Sequence, residues 1–427
     1  MQAESFHKAG YEGDGTTIAI IDSGLVIHEY FTDTLQTNLR QFVHVKDDLT
    51  LESTNCWESL YLVDNSGHGT KVTGCALQCA PKADLLFYSI ERLGTSDKWV
   101  VDWYKVRTAL DHLNNHYDDY GVSVLSMSIG NRDIETSNPL LYQEIKSLLI
   151  SIASKGIPIF IASGNDYSFS IPFPANIAPD VDGIFCVGGV YNLDYDNNDN
   201  GSFDDPEDRH SGEIWHEPSG HGTSHGCELE IMSTSFNVAT TDPSGGINSY
   251  FDGTSAAAPV AAGCAALLIG MWHQVNGFTT IPLDFIEGTI RNMAEYRYDD
   301  DPLLYGDGIM TPYDCRIYPL SISGSSVHTG YMFTSYKSAF YGHGYSVYLD
   351  WKEWNGWTWV THSNLVAQTT HCDWNPFSAQ NMIVPDFYEG YRARIQWRYR
   401  LDVCGMSMNI YTSWNTNYIY NDVIPIF

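Results

Sequence analysis

The chain has 427 residues, 43% of them apolar, enough for one large domain and a smaller one, each with its own core. It carries 52 acidic against 22 basic residues, a formal net charge of −30, which argues against nucleic acid and anionic membranes as partners and suits cation binding or basic substrates. Nine cysteines leave at least one unpaired, and no spacing among them resembles a zinc site. No apolar run long enough to cross a membrane is read, so no insertion is expected. Met1–Gly10 lacks the apolar stretch of a signal peptide, as expected either of a processed mature chain or of one that folds unaided.

Thr16–Ile21 is a short apolar run rich in β-branched residues and reads as a buried strand. It ends in Asp22-Ser23-Gly24, and a carboxylate at the C-terminal end of a parallel strand lies where α/β sheets hold their ligands. Asn65-Ser-Gly-His-Gly-Thr70 precedes an apolar stretch to Leu77, so His68 opens a helix with a glycine on either side. Cys75 and Cys79 share a face of that helix. Asp84–Ile90 reads as the next strand and Trp99–His116 as a helix, with Trp103, Val106, Leu110 and Leu113 at helical spacing. A strand over 122–127 leads into Ser128-Ile129-Gly130, a helix follows over 140–154, and the strand Ile157–Ala162 ends in Ser163-Gly164-Asn165. Another strand covers Gly183–Val190. Strands alternating with helices imply a parallel sheet covered on both faces.

The stretch 192–226 is more polar and reads as an acidic loop insertion. Within it, Asp194 to Asp208 contains the pattern D-x-[DN]-x-[DN]-G-x5-E, with Asp196, Asn198, Asn200 and Glu207 at its oxygen-bearing positions and Gly201 at the turn, and these four with Asp194 are the expected oxygen ligands for Ca²⁺. The flanking His210, His216, His221 and His225 read as solvated loop residues. No organic cofactor is called for. Phe251-Asp-Gly-Thr-Ser-Ala-Ala-Ala-Pro259 then sets Ser255 at the start of a small-residue helix running to Met271, with Gly253 making a tight turn and Pro259 read as a first-turn residue. A hydroxyl at a helix N-terminus has unpaired N–H groups beside it that favour negative charge. From about 317 the texture becomes period-two and aromatic, as in 344–351, 357–361 and 391–399, which predicts an all-β domain over 317–427, a β-sandwich or jelly roll, after a larger α/β domain over 1–316. Its aromatic residues suit a core, or a surface that meets glycan or protein.

Taken together, the segments around Asp22, His68, Asn165 and Ser255, with Val124–Gly130 between them, resemble those of the subtilisin-like serine proteases, in that family's order of Asp, His, Ser. The resemblance covers roughly residues 5–312. It implies a doubly wound parallel sheet and a serine endopeptidase acting on proteins or peptides. Ser255 would be the nucleophile, His68 the base, Asp22 its orienting carboxylate and Asn165 the oxyanion donor. Ser128, Ile129, Gly130, Ala162, Ser163 and Gly164 would line the main specificity pocket. Small walls with Asp166 at the rim imply cleavage after large apolar residues first and basic ones second. The calcium loop that the family often carries in the helix after the His has no room here. The resemblance also fits a secreted enzyme. Two other readings stand beside it: a protease or macrocyclase that matures one particular peptide, and a degenerate subtilase that only binds.

Overall fold

The computed structural model describes residues 3–8, 10–94, 99–196, 208–276, 281–295 and 301–310, and the backbone of the strands between 315 and 420. Residues 11–311 form one compact unit, and residues 2–10 with 312–427 a second.

The first unit is built on strands β1 (Thr17–Asp22), β2 (Leu39–Val45), β3 (Leu51–Thr54), β4 (Asp84–Ser89), β7 (Val122–Met127), β8 (Ile159–Ala162), β9 (Ile184–Val190), β10 (Ile231–Thr234), β13 (Ala294–Glu295) and β14 (Ile309–Met310). They form one ten-stranded sheet in the order 13-14-10-9-8-7-1-4-2-3. Pairing is parallel throughout except at the two edge strands, β3 and β13. From β1 the chain goes out through β2 and β4 on one side and continues through β7, β8, β9 and β10 on the other. The direction of winding therefore reverses beside β1, and such a switch point opens a crevice at the carboxyl ends of the strands. In-register pairing puts Asp22 beside Ser89, Ile21 beside Met127 and Met127 beside Ile161, so the strand ends lie in one row. Every residue of β1 is buried, as expected of a central parallel strand covered on both faces.

The helices follow from local signals. Gly67, at φ +76°, precedes α2 (His68–Cys79). The Asp102 carboxylate caps α3 (Trp103–His116), accepting from Tyr104 N at 2.9 Å. The expected helix from Trp99 starts later, because Trp99–Val101 (β6) pairs with Glu91–Leu93 (β5) as a small hairpin. After the short α4 (Ile134–Ser137), Asn138 caps α5 (Pro139–Ala153), which has Pro at its first position. A second hairpin, β11 (Val238–Thr241) with β12 (Ile247–Phe251), leads into α6 (Thr254–Asn276). The helices α7 (Leu283–Met293) and α8 (Pro302–Tyr305) complete this unit.

The Ala-rich composition of α6 favours helix and permits close approach. A Cβ on Gly263 would lie 2.2 Å from the Ala76 carbonyl oxygen of α2 and 2.9 Å from Cys79 Cβ. Thr254–Gln274 is long and apolar enough to cross a membrane, but 94% of that window is buried within the fold. The expectation that no such segment exists is thus corrected: small residues broke up the apolar run in the sequence, and the helix spends its surface on the core.

Two further readings are corrected. Pro259 lies inside α6, not in its first turn. The stretch 208–226 is built into the unit: Trp215 N bonds Gly189 O, Thr223 Oγ1 bonds both N and O of Gly189, and Ile214, Trp215, Ser224 and His225 are buried.

In the second unit, α1 spans Ala3–Lys8. Strands Cys315–Ile317, Ser321–Ile322, Gly330–Tyr336 and Asn375–Met382 form one antiparallel sheet. Tyr345–Trp354, Trp359–Thr369, Arg392–Val403, Met408–Tyr411 and Asn415–Tyr420 form another.

Candidate active site

Asp22 ends β1 and is 1% exposed. Its Oδ1 accepts from the Ser23 N–H and from His68 Nδ1, both at 2.7 Å. His68 is the first residue of α2, and what holds it there is Asp64. This buried carboxylate accepts from Gly67 N (2.9 Å), Thr70 N (2.8 Å), Thr70 Oγ1 (2.7 Å) and Ser23 Oγ (2.8 Å). It caps α2 from three residues before Gly67, and through Ser23 it ties the helix start to the end of β1. Ser23 Oγ also accepts from Gly69 N at 2.8 Å. Burial pushes the His68 pKa down. The Asp22 charge and hydrogen bond, with Asp64 behind them, outweigh that, and the pKa stands raised from its ordinary 6.5.

The third segment closes on the first two. Phe251, at the end of β12, meets the His68 ring edge-on, with centroids 5.6 Å apart. Gly253 turns at φ +94°, where a Cβ would come within 3.0 Å of Asn165 Nδ2. Asn165 Oδ1 accepts from both the N–H (2.9 Å) and the hydroxyl (2.8 Å) of Thr254, and Thr254 Oγ1 accepts from Gly164 N at 3.1 Å. With its oxygen held this way, Asn165 presents its amide nitrogen to the turn that carries Ser255. Pro259 acts here too. Having no N–H, it cannot supply the i→i−4 bond to the Ser255 carbonyl, which accepts from Ser128 Oγ at 3.0 Å instead. The helix bearing Ser255 is thereby joined to the end of β7.

The sequence model of the Subtilase family matches residues 13–306. The chain belongs to the subtilase family. Among curated relatives it is similar to Subtilisin BL and Subtilisin Savinase of Lederbergia lenta, 26% and 27% identical over 280 residues that cover 63% of this chain and 81% of each relative. It is 25% identical over 278 residues to Subtilisin E of Bacillus subtilis (strain 168), covering 63% of this chain and 59% of the relative. Among solved structures, a lanthipeptide protease is similar in fold, with a TM-score of 0.53 at 19% identity, covering 73% of this chain and 91% of that one. This subtilase is a serine endopeptidase.

Beside the Asp22–His68 pair of this subtilase lies a cleft of about 280 Å³, walled by Ile90, Glu91, Val100 and Val101 on one side and Ser128–Gly130 on the other. Ser128, Ile129, Ala162 and Ser163 are all buried. Asp166 does not stand as a bare carboxylate at a rim. Arg132 Nε and Nη2 both bond its Oδ2, at 2.9 and 2.6 Å, while Nη1 reaches Ser170 Oγ at 3.0 Å and Nη2 reaches Ser168 Oγ at 3.1 Å. The tolerance for basic side chains expected from Asp166 therefore loses its physical basis. Of the four histidines read as solvated, His225 is 3% exposed, with Nδ1 on Thr223 O at 2.9 Å, and the His216 ring lies 3.9 Å from that of Tyr167.

Of the expected calcium ligands, Asp194 Oδ1 accepts from Ser211 N at 2.9 Å, at the base of the acidic loop, where Tyr195 bridges Arg209. Asn198, Asn200 and Glu207 lie outside the described residues. No group of three or more His, Cys, Asp or Glu side chains converges among the described residues. Cys56, Cys75, Cys186 and Cys227 are free thiols, Cys79 and Cys264 hydrogen-bond each other, and burial pushes the Cys75 pKa up to about 12.

Sequence reasoning missed Asp64, Ser23, Thr254 and Arg132. Asp64 carried a signal, an acidic residue just ahead of a Ser-Gly that opens a helix. The others act through partners distant in sequence.

Proposed function

We propose that Ser255, His68 and Asp22 form the catalytic triad of this endopeptidase and that Asn165 is its oxyanion donor. The observation that carries the reading is the 2.7 Å bond from His68 Nδ1 to Asp22 Oδ1. It fixes the tautomer with the proton on Nδ1 and leaves Nε2 as the base. Ser255 Oγ attacks the peptide carbonyl carbon while its proton passes to His68 Nε2, and the resulting imidazolium is stabilised by Asp22. The carbonyl oxygen, now negative, takes hydrogen bonds from Asn165 Nδ2 and the Ser255 N–H. Collapse expels the amine, which takes the proton from His68, and water then hydrolyses the acyl-enzyme by the same steps.

The substrates are proteins or peptides in extended form, laid against the segment after β7, with side chains entering the apolar cleft. For the acidic loop we infer Ca²⁺ at Asp194 and Asp196, whose hard oxygens suit that ion. For the second unit we infer an accessory β-sandwich, and for the enzyme an extracellular site of action. The test of the triad is labelling by a fluorophosphonate probe. Ser255 should be modified, and Ser255→Ala should lose both labelling and hydrolysis with its melting temperature unchanged. Residual hydrolysis above about a thousandth of wild type would sink the assignment.

A further inference from the structure

We infer that the pocket for the residue whose carbonyl is attacked (P1) ends at Pro172, so that this subtilase cleaves after glycine, alanine or serine and rejects large side chains. The inference rests on the proposed pocket walls, Ser128–Gly130 and Ala162–Gly164.

These walls continue two neighbouring strands, β7 and β8, that pair in parallel as far as Met127 and Ile161. Beyond that point the chains part, and a side chain entering between them needs the gap to be empty. It is not. The segment Ile171–Phe173 crosses it, fixed by Asn131 N to Phe173 O at 2.8 Å and Phe173 N to Asn131 O at 3.2 Å.

The ring of Pro172 stands between the glycines. A Cβ on Gly130 would lie 2.9 Å from Pro172 Cγ, and one on Gly164 would lie 3.1 Å from Cδ and 3.2 Å from Cγ. Ordinary carbon contacts are about 3.5–4.0 Å, so no methyl-sized group fits between the ring and either wall. Pro172 is buried, and Arg132 holds the same segment two residues earlier through Ser170 Oγ. Pro172 occupies the space that side chains at Gly130 and Gly164 would take, and at Gly164 the backbone, at φ +101°, favours glycine as well. The walls that suggested an open pocket in the sequence thus bound a short one. In tightly fitted pockets a single methylene changes kcat/KM by about 10–200-fold, so a phenyl or isobutyl group should be disfavoured at least tenfold.

The experiment compares the inactivation rates of the full chain by peptidyl diphenyl phosphonates that differ only in the P1 analogue, Ala against Phe, with a fluorophosphonate as control. At least tenfold faster reaction of the Ala analogue supports the inference. Faster or equal reaction of the Phe analogue overturns it, as does reaction with neither while the fluorophosphonate labels Ser255. Failure of the fluorophosphonate itself would fall on the triad reading instead. Pro172→Gly, with Pro172→Ala as the milder variant, should raise the ratio of the Phe-analogue rate to the Ala-analogue rate at least tenfold over wild type, and an unchanged ratio in the folded variants would overturn the inference.

Discussion

Removing the Asp64 carboxylate should cost both stability and catalysis. Five donors end on it, two backbone N–H groups at the start of α2 and the hydroxyls of Ser23, Ser66 and Thr70. In Asp64→Ala the hydroxyls of Ser23 and Thr70 can rotate to other acceptors, but the N–H groups of Gly67 and Thr70 cannot. A hydrogen bond to a charged group contributes about 1.5–3 kcal/mol net, so losing two from a buried helix start should cost about 3–6 kcal/mol. That is a large share of a typical domain's 5–15 kcal/mol. Asp64→Asn keeps an acceptor oxygen for one of them and should cost roughly half as much. The assay is urea unfolding of the full chain, with Ser255 labelling rates measured under conditions where each variant is folded. Asp64→Ala should label more slowly even when folded, because the start of α2 loses its anchor and is held to the end of β1 beside Asp22 by fewer bonds, the one from Gly69 N to Ser23 Oγ remaining. A loss below about 1 kcal/mol, or an Asn variant as damaged as the Ala one, would refute the argument.

The pH profile of kcat/KM reads His68 directly. Because its pKa is raised, His68 is protonated and unable to take a proton below that value, so activity should fall on acidification with a midpoint above 6.5. A midpoint below 6.5 would contradict the net effect of Asp22 and Asp64, and Asp64→Asn should move it down. Asn165→Ala should lower turnover about a hundredfold or more with little change in KM. It should also lower the melting temperature, since Asn165 Oδ1 holds Thr254; a rise in KM at unchanged turnover would make Asn165 a substrate contact instead.

What the sequence made legible sits at element ends. Asp22, His68, Asn165 and Ser255 each close a strand or open a helix, and such places are marked by a change of hydrophobic period and a glycine, so the parallel sheet and its crevice could be read without coordinates. What it hid depends on partners far along the chain. Nothing local says that Arg132 reaches Asp166 or that Pro172 stands between Gly130 and Gly164. Pro259 was misplaced because its function is negative: it withholds a donor, so that Ser128 can supply one. The stretch 208–226 looked like a loop because its glycines and histidines outnumber Ile214 and Trp215, yet those two apolar residues were the sign of burial.

The meeting of α2 and α6 at Gly263 has a consequence for how much error the enzyme can absorb. One helix carries His68 and the other Ser255, and at the crossing the Gly263 backbone lies against the Ala76 carbonyl, with Cys79 Cβ beside it. A layer of long, flexible side chains would act as a cushion, soaking up small changes elsewhere in the core. Here the contact is a backbone carbonyl and one short side chain. A single added methyl at Gly263 must push one helix bodily along or away from the other, and whichever moves takes an end of the proposed proton-transfer path with it. The tolerance of the chemistry is set in the middle of the core, by the thickness of a hydrogen atom.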